Sequence, residues 1–435
     1  MDVFQLPSKE ALTNSSLIFS HPHGRNIIER TETFFTWQQV RRDSGCWPYS
    51  TVLGTAPTPE TMVATETGAL RAGVNFASQD YLSLTCHPQI HEAVRQALQD
   101  FGPHSAGSAI LQGNTLLSLE LERALAEHLQ MEHVVLFPTG WGAGFGAING
   151  LVRRDDWIVM DAFSHACIQS GAMASTQKII RHDHLRTDQI RQLLHDLRAR
   201  DASNGILVIT EGLFSMDADI PAIASIIEAC REYDATLMVD IAHDYGAMGP
   251  NGTGALGMQG VLGQVDIVMG SFSKTFASNG GFVATNSAAA RHFLKVFGGP
   301  HIFSNALSPI QVAVVKACLD IVRSPEGYTL RASLFEAIGA LRKALGARGI
   351  ICAGEPSPIV PAMIGREDVA RLTARLLSEQ PLFANLIEYP AVPVGTARFR
   401  FQVMANHQRE HVEKAVEIFV NAVTSANEFL VIHRL

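Results

Sequence analysis

TLMVDIAH, residues 236–243, and DIVMGSFSKTF, residues 266–276, decide how this chain folds. Each opens with an apolar run that lacks the polar alternation of a strand with one wet face, and each ends in polar residues. Strands buried on both faces read this way, which requires helices packed above and below a parallel sheet. The same texture recurs outward in VVLFP (134–138), WIVMDA (157–162) and GILVIT (205–210). Between these runs lie helical patterns such as IPAIASIIEACREY (220–233) and LLSLELERALAEHL (116–129), whose Leu117, Leu121, Leu125 and Leu129 share one face. Strand and helix alternating over this length predicts an α/β fold, with a mostly parallel central sheet and helices on both faces.

Residues 1–74 are richer in proline and glycine, with Trp37, Trp47 and Tyr49 to anchor them, and read as an irregular N-terminal arm. A large domain is expected over 75–305. A linking helix around 309–323 and a smaller α+β domain, with strands near GIICAG (349–354) and ARFRFQV (397–403), are expected over 306–435. The 435 residues are 47% hydrophobic and 17% charged, which excludes a disordered chain. With 34 basic against 42 acidic residues the net charge is −8, so no basic footprint suggests nucleic acid. Six scattered cysteines without a CxxC pair suggest neither a zinc cage nor a disulfide framework, and are expected of a reduced cytoplasmic protein. MDVFQLPSKEAL carries no leader pattern. The uncharged stretch Val134–Val152 holds Pro138, Asn149 and five glycines, a poor membrane span, and instead fits a strand, a glycine turn and a helix.

In open α/β sheets ligands bind beyond the carboxyl ends of the strands. Those ends present Asp240 and His243, Lys274, Glu211 and Ser215, and His165. VVLFP runs into TGWGAG, a glycine turn opening a helix, which suits a phosphate held by backbone N–H groups. A lysine that can bond an aldehyde, a carboxylate that keeps a ring nitrogen protonated and an imidazole that can stack describe a pocket for pyridoxal 5′-phosphate. HDH (182–184) invites a metal reading, but adjacent side chains on an extended segment point apart, so no metal is expected.

The stretches NFASQDYLSL, LELERALAEHL, DAFSHACIQSG, EGLFSMDADI, VDIAHDYGAMGPNGTGALG, GSFSKTFASNGGF, IFSNALSP and YPAVPVGTARFRFQVMANH follow one another between Asn75 and His407. Together they resemble the α-oxoamine synthase family of fold-type I pyridoxal-phosphate enzymes, relatives of the class II aminotransferases. Members of that family include serine palmitoyltransferase, 8-amino-7-oxononanoate synthase, 5-aminolevulinate synthase, 2-amino-3-ketobutyrate CoA ligase and the autoinducer synthases. The resemblance implies that Lys274 bonds the cofactor and that Asp240 partners the pyridine nitrogen. It puts His243 and Ser215 near the ring hydroxyl, His165 over the ring, and Gly140, Trp141 and Ser271 at the phosphate. Ser304 and Asn305 are then expected to reach the phosphate of a neighbouring subunit, implying a homodimer, and Arg400 to grip the substrate carboxylate. The implied reaction is a decarboxylative condensation of a small α-amino acid with an acyl-CoA; an aminotransferase, an aldolase and a catalytically silent partner subunit are the alternatives. Ala109, Ile110 and Leu111 hint at a medium or long acyl chain.

Overall fold

A computed structural model describes residues 9–64 and 68–433. They form two compact units. The larger takes in residues 79–215 and 219–332; the smaller joins the residues up to Ser78 with 216–218 and 333–435.

The larger unit is built on a seven-stranded sheet. In spatial order its strands are His133–Phe137, Gly281–Thr285, Ile267–Ser271, Thr236–Asp240, Ile206–Glu211, Trp157–Asp161 and Ile179–His182. The last five are mutually parallel, and Gly281–Thr285 runs antiparallel to both of its neighbours. The apolar runs read from sequence are these strands, as expected for a mostly parallel sheet. The antiparallel strand, written GFVAT, escaped the reading because it follows the lysine turn without a helix between. One face of the sheet is covered by the helices Gly140–Leu151, Ala166–Ser175 and Ala288–Phe297, around a core that includes Val135, Phe137, Ile148, Met160, Ile168, Ile209, Met238 and Met269. The uncharged stretch 134–152 is indeed strand, glycine turn and helix.

In the smaller unit a four-stranded sheet runs Val52–Leu53, Glu60–Ala64, Leu70–Asn75 and Leu382–Phe383, and a second, three-stranded sheet runs Ile359–Gly365, Ala397–Gln402 and Asn385–Ile387. Helices Glu32–Asp43, Glu367–Ser378 and Arg409–His433 accompany them. Two sequence expectations are corrected here. The N-terminal segment is not irregular: it contains a twelve-residue helix and three strands. GIICAG is not a strand but makes a single bridge, Cys352 to Ala362, and the strand is Ile359–Gly365. Pro361 sits inside that strand, which a proline tolerates because the strand lies at the sheet's edge.

The smaller unit is pinned by a buried charge cluster. Glu388 accepts from Arg41 Nη1 at 3.1 Å, Arg371 Nε at 2.5 Å and the Tyr49 hydroxyl at 2.9 Å, and Arg371 also donates to the Leu12 carbonyl. Arg409–His433 is, among the described residues, the one helix long and apolar enough to cross a membrane by length and composition; a third of its most apolar window is buried within the chain.

Candidate active site

The strand register places Glu211 beside Asp240 and Asp240 beside Met269, a row across three parallel strands at their carboxyl ends. This row lies in a cleft of about 280 Å³ that Gly140, Trp141, His165, His243, Ser271 and Lys274 also line. Seven of the residues expected at a cofactor site thus converge, though they span more than 130 positions of sequence.

Asp240 is 5% exposed, and its Oδ1 accepts the Ala242 N–H at 2.9 Å. Burial raises its pKa, and the positive charges of His165 and Lys274 pull it back. Glu211 is as deeply buried; burial first and the charge of Asp240 second push it well above the usual carboxylate range. Its Oε1 accepts the backbone N–H of His165 at 2.6 Å. Glu211 thereby holds the residue that caps the start of helix Ala166–Ser175. His165 Nδ1 caps that helix by accepting from Cys167 N at 3.3 Å, and its ring is exposed to the cleft. Beneath it the Cys167 thiol is pushed far up by burial, so it packs as a neutral group and is no nucleophile.

Lys274 is half-buried in the turn that follows strand Ile267–Ser271. Phe272 and Phe276 on either side are buried, the Phe276 ring stacks on Tyr245 at 5.1 Å, and Ala277, at φ 47°, donates to the Lys274 carbonyl. The lysine therefore projects from a rigid turn. His243 is 8% exposed, and its Nδ1 shares a hydrogen bond of 2.9 Å with the hydroxyl of the fully buried Tyr81. Tyr81 was missed as a site residue, since nothing in the YLSL tract signals a partner 162 positions away.

At the start of helix Gly140–Leu151, Thr139 Oγ1 accepts the Gly142 N–H at 2.9 Å, an N-cap that a Thr-Gly pair after a strand could have revealed. Amides at a helix start attract anions. Gly140 cannot be replaced freely: a Cβ there would lie 2.3 Å from Ser271 Oγ, which itself meets Ser273 Oγ at 2.8 Å. Backbone amides and two hydroxyls thus form a cradle that a single methyl would fill, and its donor set fits a phosphate. A buried acid on the floor and a lysine within the same small cleft fit the ring of pyridoxal phosphate.

Four expected residues stand elsewhere. Ser215 lies on the loop after strand Ile206–Glu211, outside the cleft lining. Ser304 and Asn305 line a neighbouring cleft of about 610 Å³ that shares Thr139 and Trp141 with the first. Arg400 belongs to the smaller unit, on strand Ala397–Gln402. There Arg398 is 2% exposed and occupied by Asp217, the Met216 carbonyl at 3.1 Å and the Thr396 carbonyl at 3.0 Å, whereas Arg400 is half-buried.

The family described as aminotransferase class I and II matches residues 71–419. The chain belongs to that family. It is 35% identical over 353 residues to a putative 8-amino-7-oxononanoate synthase of Desulforudis audaxviator, covering 81% of this chain and 89% of that one. It is 35% identical over 352 residues to a serine palmitoyltransferase of Sphingobacterium spiritivorum, covering 81% and 86%. A solved serine palmitoyltransferase carrying PLP superposes with a TM-score of 0.86 at 28% identity, over 93% of this chain and 100% of that one. The architecture is that of the fold-type I transferases.

Proposed function

We propose that the chain is an α-oxoamine synthase that joins a small α-amino acid to an acyl thioester of the acyl-CoA type. The observation that carries this reading is the convergence of Lys274, Asp240 and His165 above a helix start shaped for a phosphate. The cofactor is pyridoxal 5′-phosphate, which when bound supplies an electron sink for negative charge at the amino acid's α-carbon. The enzyme is accordingly an acyltransferase.

The chain's residues divide the work. Gly140 and Trp141 N–H groups and the Ser271 hydroxyl hold the phosphate. Asp240, whose carboxyl the charges of His165 and Lys274 draw toward its ionised form against burial, partners the ring nitrogen. His243, oriented by Tyr81, and Ser215 serve the ring hydroxyl. Lys274 anchors the cofactor and, once displaced as a free amine, takes the α-proton; a positioned general base of this kind contributes about 10²–10⁴-fold. His165 stacks over the ring and orients the acyl carbonyl. Arg400 takes the substrate carboxylate through its planar fork, a role favoured over Arg398 because Arg398 is buried against Asp217 and Arg400 is more exposed. The α-carbon bonds to the acyl carbon, the thiolate leaves, the carboxylate departs as CO2, and the α-carbon takes a proton back from Lys274 to leave an α-amino ketone.

Ser304 and Asn305, outside the cleft lining, serve the phosphate of a second copy, which makes the working form a homodimer. Six free cysteines, four of them buried, suit the cytoplasm.

Crossing small amino acids with acyl-CoAs of increasing length, with free thiol and product mass as readouts, tests the reaction. Thiol release with an α-amino ketone product is expected; a keto acid or aldehyde without thiol would replace this reading by an aminotransferase or aldolase. Mixing Lys274→Ala with a Ser304→Ala/Asn305→Ala variant tests the dimer, because one hybrid site has both halves intact. Partial recovery is expected, and none after verified subunit exchange overturns the shared site.

A further inference from the structure

His184, in the loop after strand Ile179–His182, stands between two carboxylates. Its Nδ1 lies 2.9 Å from Asp161 Oδ1 and its Nε2 lies 3.2 Å from Asp219 Oδ2. A carboxylate only accepts, and a neutral imidazole has one N–H to give. Both contacts are therefore hydrogen bonds only if both ring nitrogens carry protons. The rest of the surroundings is aromatic: the Phe163 ring centroid is 4.7 Å away and the Phe214 ring meets His184 edge-on at 4.6 Å.

The two carboxylates belong to the loops that lead into the site. Asp161 ends strand Trp157–Asp161, four residues before His165, and accepts Phe163 N–H at 2.8 Å and Leu185 N–H at 3.0 Å. Asp219 follows the Ser215 loop, and its carbonyl accepts the Phe214 N–H at 3.0 Å. Leu185 sits at φ 60°, a conformation that costs a branched residue energy and persists only when its surroundings demand it. No residue in the proposed chemistry explains this cluster.

We propose that His184 is a standing imidazolium that ties the Asp161–His165 loop to the Ser215–Asp219 loop, and so is a positioning residue for His165 and Ser215. The inference rests on the cofactor reading of the cleft. Asp161 and Asp219 are the charged groups facing the ring; burial acts against the charged form, but hydrogen bonds and charge from Asp161, then from Asp219, outweigh it and hold the ring above the ordinary imidazole range. A raised pKa means that the tie is fully present below about pH 6.5 and is lost as pH rises through the ring's own value.

Ring ¹⁵N spectra of the ¹⁵N-histidine holoenzyme, recorded without substrate and assigned by His184→Gln, test the charge. Two protonated nitrogens at pH 7 are expected, titrating on the order of one unit lower in Asp219→Asn, where one charge is removed. A single N–H at pH 7, or a titration at or below pH 6.5, overturns the imidazolium. Cofactor retained after gel filtration across pH 6–10 tests the positioning role. Retention should fall along the ring titration and fall earlier in Asp219→Asn; identical curves overturn the role. If His184→Gln does not fold, Asp219→Asn provides the assignment through the resonance it moves. The ring titration can fail while condensation activity stands, which separates this inference from the proposed reaction.

Discussion

Two groups of buried acids, one in each unit, are handled in opposite ways. In the smaller unit Glu388 meets two guanidiniums and a phenol, so the carboxylate is more than matched by positive charge and the cluster is closed to a further cation. In the larger unit Glu211 and Asp240 lie side by side, with one half-buried lysine and an exposed histidine as the nearest positive charge. Burial pushes both carboxyls up, Glu211 well above the usual carboxylate range, so two negative charges side by side are disfavoured here. A closed cluster fastens chain to chain. An undercompensated one, open to a cleft, is ready to receive a cation, and a protonated ring nitrogen is such a cation.

The sharpest way to break this contrast is Lys274→Ala. Activity should drop by about 10²–10⁴-fold or more, since the general base goes with the anchor. Borohydride should no longer fix the cofactor to the protein; a reduced adduct mapped to another lysine would sink the assignment.

Glu388→Gln attacks the closed cluster instead. Leaving Arg41 and Arg371 buried without a counter-charge should cost about 3–5 kcal/mol of stability. Denaturant unfolding should show the loss while kcat per folded molecule stays near wild type. A fall in kcat equal to that of a site variant would mean that the cluster is not purely structural.

Asp240→Asn keeps the shape of the open pair and removes the charge meant for the ring nitrogen. A rate loss on the order of 10²-fold, about 2.7 kcal/mol in the barrier, is expected in steady-state kinetics. Gly140→Ala should weaken cofactor affinity about tenfold, roughly 1.4 kcal/mol, because the new methyl must displace Ser271; equilibrium titration of the apoenzyme reads this.

The smallest effect is expected at Glu211→Gln. An amide oxygen still accepts the His165 N–H, and the substitution removes only a charge that burial already disfavours. Rates should stay within about threefold over pH 6–8, under 1 kcal/mol. A loss as large as that of Asp240→Asn would show that the site uses the charge of Glu211.

Much of this protein was decided by local pattern. A strand buried on both faces must be apolar throughout, so the parallel strands announce themselves, and their polar ends mark where ligands collect. Lys274, Asp240, His243 and His165 are legible because each stands immediately beyond such a run, and Gly140 because a helix after a strand starts with a turn. What tertiary structure decided are pairings between distant residues, which no local periodicity encodes: Tyr81 on His243, Glu388 between Arg41 and Arg371, and His184 between Asp161 and Asp219. It also set apart Arg398 and Arg400, identical in type and two positions apart, by giving Asp217 to the first. The strand Ile359–Gly365 hid behind its proline, and GIICAG looked like a strand until Ile351 proved 73% exposed. Apolarity can be read along a chain, but a strand or a charge pair needs its partner, and only the folded chain supplies one.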